Sequence, residues 1–390
     1  LANENGINLN GATFINTNGV TLTTGNPIIT NNSIDFNINK GNINLNGVGT
    51  SGNYFNVLAK TINIYKEISS LKAENDPNIS LIAGENKITL SKTNLANPVI
   101  KDSKNTTSDK YGIYATNLGA MYGKNIRLIS TDKGLGVRHE GIISSSEDIE
   151  ISSSGDITIS NLTSKGNIKI DGKKNLQTLN TTYREKEIEY SNGIRADKNI
   201  DLEVKGDIIL NSKLESSDGN INITAKNLIL KEKTNANINS LKSIIIKLDE
   251  TLDVQGIMIP TISGRGEKEP PLLIRTDTKG NLIVKDPKTG KIYSDDEIIW
   301  VSSGISGSQV DIFAQNLKNK GLVSGKKALK INTKNLNNTL NGKIIAADGE
   351  VIIKTTSGEI INIGLISGKY ITINALNNIE NKGLIASDNN

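Results

Sequence analysis

The sequence predicts an all-β protein: a right-handed parallel β-helix, or solenoid, with short antiparallel hairpin excursions. Short strands recur at a nearly constant spacing, and residues within each strand alternate between apolar and polar. The composition also disfavours a large conventional core, because aromatic residues make up 4% of the 390 residues and Trp occurs once. The remaining apolar residues are mostly Ile, Leu and Val, which suit pleated strands.

The repeat is clearest near the C-terminus. Strands reading VDIFA, LKINT, VIIKT and ITINA follow one another at steps of 19 to 22 residues, starting at Val310, Leu329, Val351 and Ile371. A second series runs out of phase with the first, starting at Gly321, Gly342, Gly364 and Gly383. The middle of the chain shows a similar spacing in two runs, with strands starting at Ile126, Ile149 and Ile168, and then at Ile200, Ile221 and Ile244. Each period therefore holds at least two short strands.

A unit this short cannot bury its own apolar face, but stacked units form a continuous core. Asn and Gly between the strands suit corners, because both tolerate left-handed backbone angles. Stacked Asn side chains are also expected to form amide ladders. Neighbouring strands lie about 4.8 Å apart, so about 15 to 18 turns would give a rod of roughly 70–90 Å. A leucine-rich horseshoe lacks its Leu/Asn signature here, and a β-sandwich would not keep so even a spacing.

Two stretches interrupt the repeat. Residues 92–118 are predicted to form a polar excursion. Residues 252–305 hold four of the seven prolines and the single Trp, and we interpret them as an inserted hairpin-like element. Within them, IRTDTKGNLIVKD predicts a hairpin with its turn at residues 279–281.

Charge and composition exclude several classes of function. Lys plus Arg number 45 and Asp plus Glu 41, so a net charge of +4 gives no electrostatic case for nucleic acid. The absence of Cys excludes disulfides, thiolate metal sites and Cys nucleophiles. No apolar run approaches the roughly 20 residues that span a bilayer, so we expect no membrane-spanning segment. We predict no catalytic residue, cofactor site or metal site.

Four features could carry chemistry, and each has a plainer interpretation. Asp295, Asp296 and Glu297 could serve a polysaccharide-cleaving enzyme, but a solvated hairpin end is favoured. The single histidine, His139, is expected to be exposed at a turn. GRGE at 264–267 is interpreted as a loop, and the lysines of LILKEKTNANINSLKSIIIK as part of a solvated face, although they could bind acidic glycans.

The opening segment resembles a known secretion domain. NENGINLNGATFINTNGVTLTTGNP is similar to the Asn-Pro-Asn-Gly-Ile segment of two-partner secretion exoproteins, although Glu4 stands where Pro is usual. This family includes filamentous haemagglutinin and the contact-dependent growth inhibition effectors. Three more blocks resemble it in the expected order: YFNVLAKTINIYKEI, with Lys60 in place of Arg, ISLIAGENKI and LGAMYGKNIRLISTDKGLGV.

The resemblance implies a role in export. Such domains are recognised by periplasmic modules of an outer-membrane transporter and fold as a β-helix at the cell surface. Asn3, Asn5, Gly6 and Ile7 would belong to the recognised segment, with a capped loop of the β-helix as the equally weighted alternative. The chain would begin inside the domain, so we expect this piece alone not to be competent for secretion.

The resemblance also implies a division of the chain and a function. We expect a distal secretion domain at 1–165, β-helix repeats at 166–251, the inserted element at 252–305 and haemagglutinin-type repeats at 306–390. The function expected is a stiff, non-enzymatic stalk of a secreted surface exoprotein of a Gram-negative bacterium. It would mediate adhesion through an unidentified receptor on a host or neighbouring cell, or present distal toxin regions. The alternatives are a β-helical polysaccharide-acting enzyme and a pore-forming haemolysin of the same pathway.

Overall fold

The computed structural model describes most of the chain, and every regular element within the described residues is a β-strand. The described residues are 1–71, 76–92, 94–101, 110–179, 182–185, 188–191, 193–232, 234, 236–256, 259–262, 273–276, 282–293, 298–301 and 304–387.

The strands follow one another with short connections. The first are β1 (Ile7–Phe14), β2 (Val20–Thr23), β3 (Asn26–Ile29), β4 (Ile34–Asn37), β5 (Asn42–Thr50), β6 (Tyr54–Ala59), β7 (Thr61–Ser70), β8 (Asn78–Ala83), β9 (Asn86–Ser91), β10 (Asn94–Leu95), β11 (Val99–Ile100), β12 (Tyr111–Ala115), β13 (Met121–Gly123) and β14 (Ile126–Ser130). They continue with β15 (Gly136–Ser145), β16 (Ile149–Ser153), β17 (Ile157–Ser164), β18 (Ile168–Gly172), β19 (Leu176–Thr178), β20 (Thr182–Glu185), β21 (Ile188–Ser191), β22 (Gly193–Ala196), β23 (Ile200–Val204), β24 (Asp207–Leu210), β25 (Lys213–Ser216), β26 (Ile221–Ala225), β27 (Asn227–Leu230) and β28 (Asn237–Ser240). The last are β29 (Ser243–Leu248), β30 (Thr251–Val254), β31 (Ile259–Ile262), β32 (Leu273–Thr276), β33 (Leu282–Lys285), β34 (Ile292–Tyr293), β35 (Ile298–Val301), β36 (Gly304–Asn319), β37 (Leu322–Asn338), β38 (Lys343–Thr355), β39 (Ile360–Asn362), β40 (Leu365–Asn374), β41 (Ile379–Asn381) and β42 (Leu384–Ser387).

The coil has three strands per turn, and each strand pairs in parallel with the equivalent strands of the turns above and below. One turn runs through β22, β23 and β24, and the next through β25, β26 and β27. The stacked strands form three parallel ladders, which we name C, A and B in the order of β22, β23 and β24. In the C-terminal part, β36 and β37 are long enough to pass through all three ladders without a break. The parallel β-helix predicted from the sequence is confirmed.

The apolar residues that begin the repeated strands stack on one another and form one inward-facing column in ladder A. Ile126, Ile149, Ile168, Ile200, Ile221 and Ile244 pair in register, and the column continues directly into Val310, Leu329, Val351 and Ile371. With Val20, Phe55 and Ile79 it spans about 13 turns, or about 60 Å at 4.8 Å per strand. The expected 15 to 18 turns were too many, because several segments leave the coil and add no turn.

The excursions leave the coil at two corners. Between ladders A and B, the β3–β4 hairpin pairs with β9, and β9 also pairs with β10 and β11, all antiparallel. Between ladders B and C, β20 pairs antiparallel with β21, and β31 to β35 follow β30. The expected excursion at 92–118 is placed too late, because β9 already belongs to it and β12 is again a strand of the coil. The excursions of 26–39 and 182–191 were not predicted.

The antiparallel sheet has a small core of its own on the outside of the coil. Phe36, Ile38, Ile88 and Leu90 pack there against outward residues of three successive coil strands: Leu58, Ile82 and Ile129. The predicted hairpin of IRTDTKGNLIVKD is present as the antiparallel pair β32–β33, while its turn lies outside the described residues.

Asparagine ladders run along the coil, as the sequence predicts. Asn338 accepts a hydrogen bond from Asn319 Nδ2 at 2.9 Å and donates one to Asn362 Oδ1 at 2.7 Å, and all three are fully buried. A solvent-facing ladder joins Asn8, Asn44 and Asn63 at 2.6 and 2.8 Å. Stacked amides satisfy each other because each side chain offers both a donor and an acceptor.

We expect Asn338→Ala to destabilise the coil much more than Asn44→Ala. The first change leaves buried partners unpaired, at a cost of about 1–3 kcal/mol for each group. The second exposes its partners to water and should change the free energy of unfolding by no more than about 0.5 kcal/mol. Urea unfolding of the two variants measures the difference. Equal losses would show that a buried amide ladder contributes no more to the free energy of unfolding than an exposed one.

Candidate functional site

The predicted recognition segment forms a tight loop that leads into β1. Asn3 N–H donates to the Thr23 carbonyl at 2.9 Å, and its own carbonyl accepts from Gly6 N–H at 3.1 Å. The Asn3 side chain accepts from Asn5 N–H at 3.1 Å, so it caps the loop locally. Ile7 then pairs with Ile43 and packs on the core. The side chains of Asn3 and Asn5 remain exposed.

Two glycines allow this loop to lie directly on the next turn. Gly6 has φ +124°, and a Cβ there would lie 2.8 Å from the Asn42 carbonyl oxygen. Gly41 has φ +86°, and its Cβ would lie 2.5 Å from the carbonyl oxygen of Glu4. The Lys40 ammonium lies 3.6 Å from the Glu4 carboxylate and 3.4 Å from Asn5 Oδ1. Glu4 therefore reaches the next turn through an exposed ion pair, where the resembled pattern has Pro.

A second site lies where the antiparallel sheet joins the coil. Ala59, Ala83 and Ser130 stack in ladder A, so the residues that follow them turn the same corner in successive turns. This brings together Lys60, Glu85 and Asp132, one from each of the three later blocks that resemble the secretion domain. The Lys60 ammonium lies 2.6 Å from Glu85 Oε1 and 2.5 Å from Asp132 Oδ2. We name these three residues the corner ion cluster.

The corner ion cluster is largely withdrawn from water. The side chains of Lys60 and Asp132 are 8% and 0% exposed. Burial lowers the pKa of Lys60, but hydrogen bonds to Asp132 and Glu85 outweigh it and raise the pKa above its usual value. The cation therefore stays charged and is held by both carboxylates.

Backbone and neutral side chains complete the cluster. Asp132 Oδ1 accepts from the Glu85 N–H at 2.7 Å, and the Thr131 hydroxyl lies 2.8 Å from Asn86 Oδ1. Gly84 has φ +118°, and a Cβ there would meet Thr131 Oγ1 at 2.2 Å and Asp132 Oδ1 at 2.8 Å. Only a glycine at this corner leaves room for the buried carboxylate, so the Ala-Gly-Glu-Asn block is fixed by this packing.

A protein-family model matches the part of the chain that contains both sites. Residues 1–159 match the family model described as the TPS secretion domain. Residues 1–159 therefore carry the secretion domain that is typical of two-partner secretion exoproteins. The predicted recognition segment and the corner ion cluster both lie inside the matched residues.

Three curated proteins of different names are similar to this chain. Filamentous hemagglutinin of Bordetella pertussis is 35% identical over 44% of this chain and 5% of its own length. IbpA of Histophilus somni, named a protein adenylyltransferase and cysteine protease, is 29% identical over 99% of this chain and 10% of its own length. Toxin CdiA of Escherichia coli is 26% identical over 66% of this chain and 8% of its own length.

The chain thus spans a tenth or less of the length of these relatives. Among solved structures, it is similar to the filamentous hemagglutinin secretion domain. The match has 28% identity and a TM-score of 0.40, and covers 57% of this chain and 65% of that one.

The prediction that His139 is exposed at a turn is wrong. The residue lies inside β15, stacked between Ala115 and Ile159 in ladder B, and is 1% exposed. Burial lowers the pKa of His139 to about 4, so the imidazole is neutral near pH 7. Contacts with the backbone of Gly141 and Gly119 raise the pKa of the imidazole, but by less than burial lowers it.

The other residues that the sequence singles out form no site within the described part of the chain. Asp295, Asp296, Glu297 and the GRGE segment lie outside the described residues. The lysines of 228–247 do not share one environment. Lys242 pairs with Asp218 at 3.0 Å, whereas Lys247 lies in an outward-facing row of ladder A, between Thr224 and Phe313. Among the described residues, no group of three or more His, Cys, Asp or Glu side chains is arranged to bind a metal ion. The same part contains no helix long and apolar enough to cross a membrane.

Sequence reasoning did not find the corner ion cluster. Its members are separated by 25 and 47 residues along the chain. The signal available in the sequence was Lys60 itself, a charged residue between the apolar run Val57–Ala59 and the alternating segment Thr61–Ile64, where a repeat strand would be buried. Its partners could not be chosen without the register of three turns.

We expect Lys60→Met to lower the free energy of unfolding by about 3–5 kcal/mol, because it leaves the buried Asp132 carboxylate without its cation. Lys124→Met is the matched control, since Lys124 pairs with Glu147 at 3.2 Å with both side chains about half exposed. Its loss should not exceed about 1 kcal/mol. Chemical denaturation compares them, and similar losses would refute a structural role for the buried cluster. Adding Asp132→Asn to Lys60→Met should restore part of the stability.

We expect His139 to make the fold sensitive to acid. Its folded pKa of about 4 lies below the unfolded value of about 6.5, so the unfolded chain takes up the proton first as pH falls. The contribution to stability is complete above about pH 6.5 and is lost towards pH 4. Between pH 7.5 and 4.5 the wild-type protein should lose about 2–3 kcal/mol more than His139→Leu. Parallel pH profiles for the two proteins would contradict this assignment.

Proposed function

We propose that the chain joins an export domain to a stiff β-helical stalk within a large secreted exoprotein. The observation that carries the proposal is the single core column, which passes from the matched secretion domain through later turns to Ile371. A rod of this kind adds length with each turn and keeps its direction, because each turn is paired on both sides.

The proposed division follows the sequence expectation. The distal secretion domain occupies 1–165, β-helix repeats 166–251, an inserted element 252–305 and haemagglutinin-type repeats 306–390. The strand pattern supports this order, since coil strands end at Val254 and resume at Gly304. The inserted element would stand on the side of the rod, at the corner between ladders B and C.

The proposed transport partner is an outer-membrane transporter of the two-partner secretion type, which the matched family implies. Asn3, Asn5, Gly6 and Ile7 are proposed as part of the segment that this transporter recognises. Support comes from the exposure of Asn3 and Asn5, whose side chains make only local or weak contacts in the folded loop. The exported product would be displayed at, or released from, the surface of a Gram-negative cell.

The stalk is proposed to act by reach rather than by chemistry of its own. It would support adhesion to a host or neighbouring cell, or carry a distal toxin region towards one. Both options have relatives with matching names, a hemagglutinin and a toxin, and each of those proteins is much longer than this chain. Enzymatic activities such as those in the name of IbpA would belong to other parts of such proteins.

We expect Asn5→Ala, introduced into the full exoprotein and expressed with its transporter, to reduce the secreted amount. Loss of about 1.4 kcal/mol of recognition energy would weaken binding about tenfold. The control is Asn10→Ala, another exposed asparagine, which lies in β1 and bonds only to Asn46 among the described residues. Quantitative immunoblots of medium and cell fractions measure export. Unchanged export of the Asn5 variant, or an equal loss for both, would argue against the recognition role.

A further inference from the structure

A polar groove runs along the side of the coil, across the turns that join the matched secretion domain to the repeats. Its floor is a column of outward residues in four successive turns: Arg138, Thr158, Gln177 and Ile209. Three steps of 4.8 Å make this column about 14 Å long. The groove encloses about 240 Å³.

One end of the groove is aromatic. Tyr111 lines it, and its ring lies 6.2 Å from that of Tyr114, with the planes 25° apart. The Lys110 ammonium lies 5.5 Å and the Arg138 guanidinium 5.9 Å from the centre of the Tyr111 ring. A Cβ at Gly136 would approach Tyr111 Cδ1 to 3.2 Å, so the glycine below makes room for this ring.

One wall of the groove is a rigid row of carboxylates and amides. Asp156 Oδ1 accepts from the Asn175 side chain at 3.1 Å, and Asn175 Oδ1 accepts from the Asp207 N–H at 2.9 Å. Asp207 Oδ1 accepts in turn from the Asn227 side chain at 2.8 Å. These bonds use one oxygen of each carboxylate and fix its orientation. The second oxygen of each has no partner among the described residues.

The chemistry of the lining selects one kind of ligand. Lys110 and Arg138 lie along the same groove as Asp156 and Asp207, and the charge of Arg138 is already paired with Glu140 at 2.6 Å. A polyanion would be repelled by the two carboxylates, and a polycation by Lys110. A hydroxyl group can donate to a carboxylate and accept from a cation or an amide. A ligand rich in hydroxyl groups, with an apolar ring face for Tyr111, satisfies every part of the lining.

We propose that this groove is a binding site for a neutral oligosaccharide. One sugar ring packs on Tyr111, and hydroxyl groups of the next rings bond to Gln177 and to the free oxygens of Asp156 and Asp207. The groove is smaller than the usual 300–1,000 Å³ of pockets that enclose a drug-sized ligand. It therefore holds one or two rings, and the remaining glycan projects into solvent. The site does not depend on the stalk proposal, since it needs only the folded turns that carry these side chains.

The test uses the full chain and a panel of immobilised neutral di- to tetrasaccharides of hexoses and N-acetylhexosamines, with heparin fragments as the anionic comparison. We expect saturable binding to at least one neutral glycan. Tyr111→Ala and, separately, Gln177→Ala should each weaken it at least tenfold. Gln177 is exposed and can be changed without disturbing the core, so the test survives if Tyr111→Ala misfolds.

Tyr370→Ala is the matched control. Lys369 lies 5.7 Å from the centre of the Tyr370 ring, so this position repeats the Lys–Tyr pair without the groove, and binding should be unchanged. Absence of binding to every neutral glycan at millimolar concentration would overturn the proposal. So would full binding by both groove variants, or a preference for heparin that disappears at high salt, which would indicate charge attraction alone.

Discussion

The whole molecule depends on parallel, in-register stacking of one turn on the next. Each inward side chain must lie above its equivalent, so a residue is fixed by its neighbours one period before and after it. This constraint places Ile, Leu and Val in columns, repeats Asn where amides can bond along the axis, and demands Gly where a corner would otherwise collide. It also confines every insertion to corners, which is why the excursions leave the coil at only two of its edges within the described residues.

The same constraint explains what the sequence can and cannot reveal. Residues of one inward column recur along the sequence, so the first residues of the repeated strands, from Ile126 to Ile371, predict both the coil and which strands pair. Excursions do not repeat: β4 has the same apolar–polar alternation as a coil strand, and only its antiparallel pairing with β9 shows that it lies outside the coil. His139 could have been placed correctly, because it has the same parity as the inward Val137. The corner ion cluster could not, since it depends on register across three turns.

The end of the matched family region is not a break in the structure. The match ends at residue 159, yet Ile159 is stacked between His139 and Thr178 like any other rung. Because each turn contacts only its neighbours, stability in such a coil is close to a sum of local terms. The matched residues and the later turns share one core, and each part can tolerate changes at a distance in the other.

The corner ion cluster has a consequence for the order of assembly. In the C-terminal turns an amide rung closes over 19 residues, as between Asn319 and Asn338. Glu85 must wait for Asp132, 47 residues later, and closing a longer loop costs more chain entropy. If the chain folds from its N-terminus, the first turns lack the buried ion pair with Asp132 until the turn that contains residue 132 has formed. From there, each new turn is added to a finished template, and only the turns that follow the excursions before β22 and β36 must close longer loops.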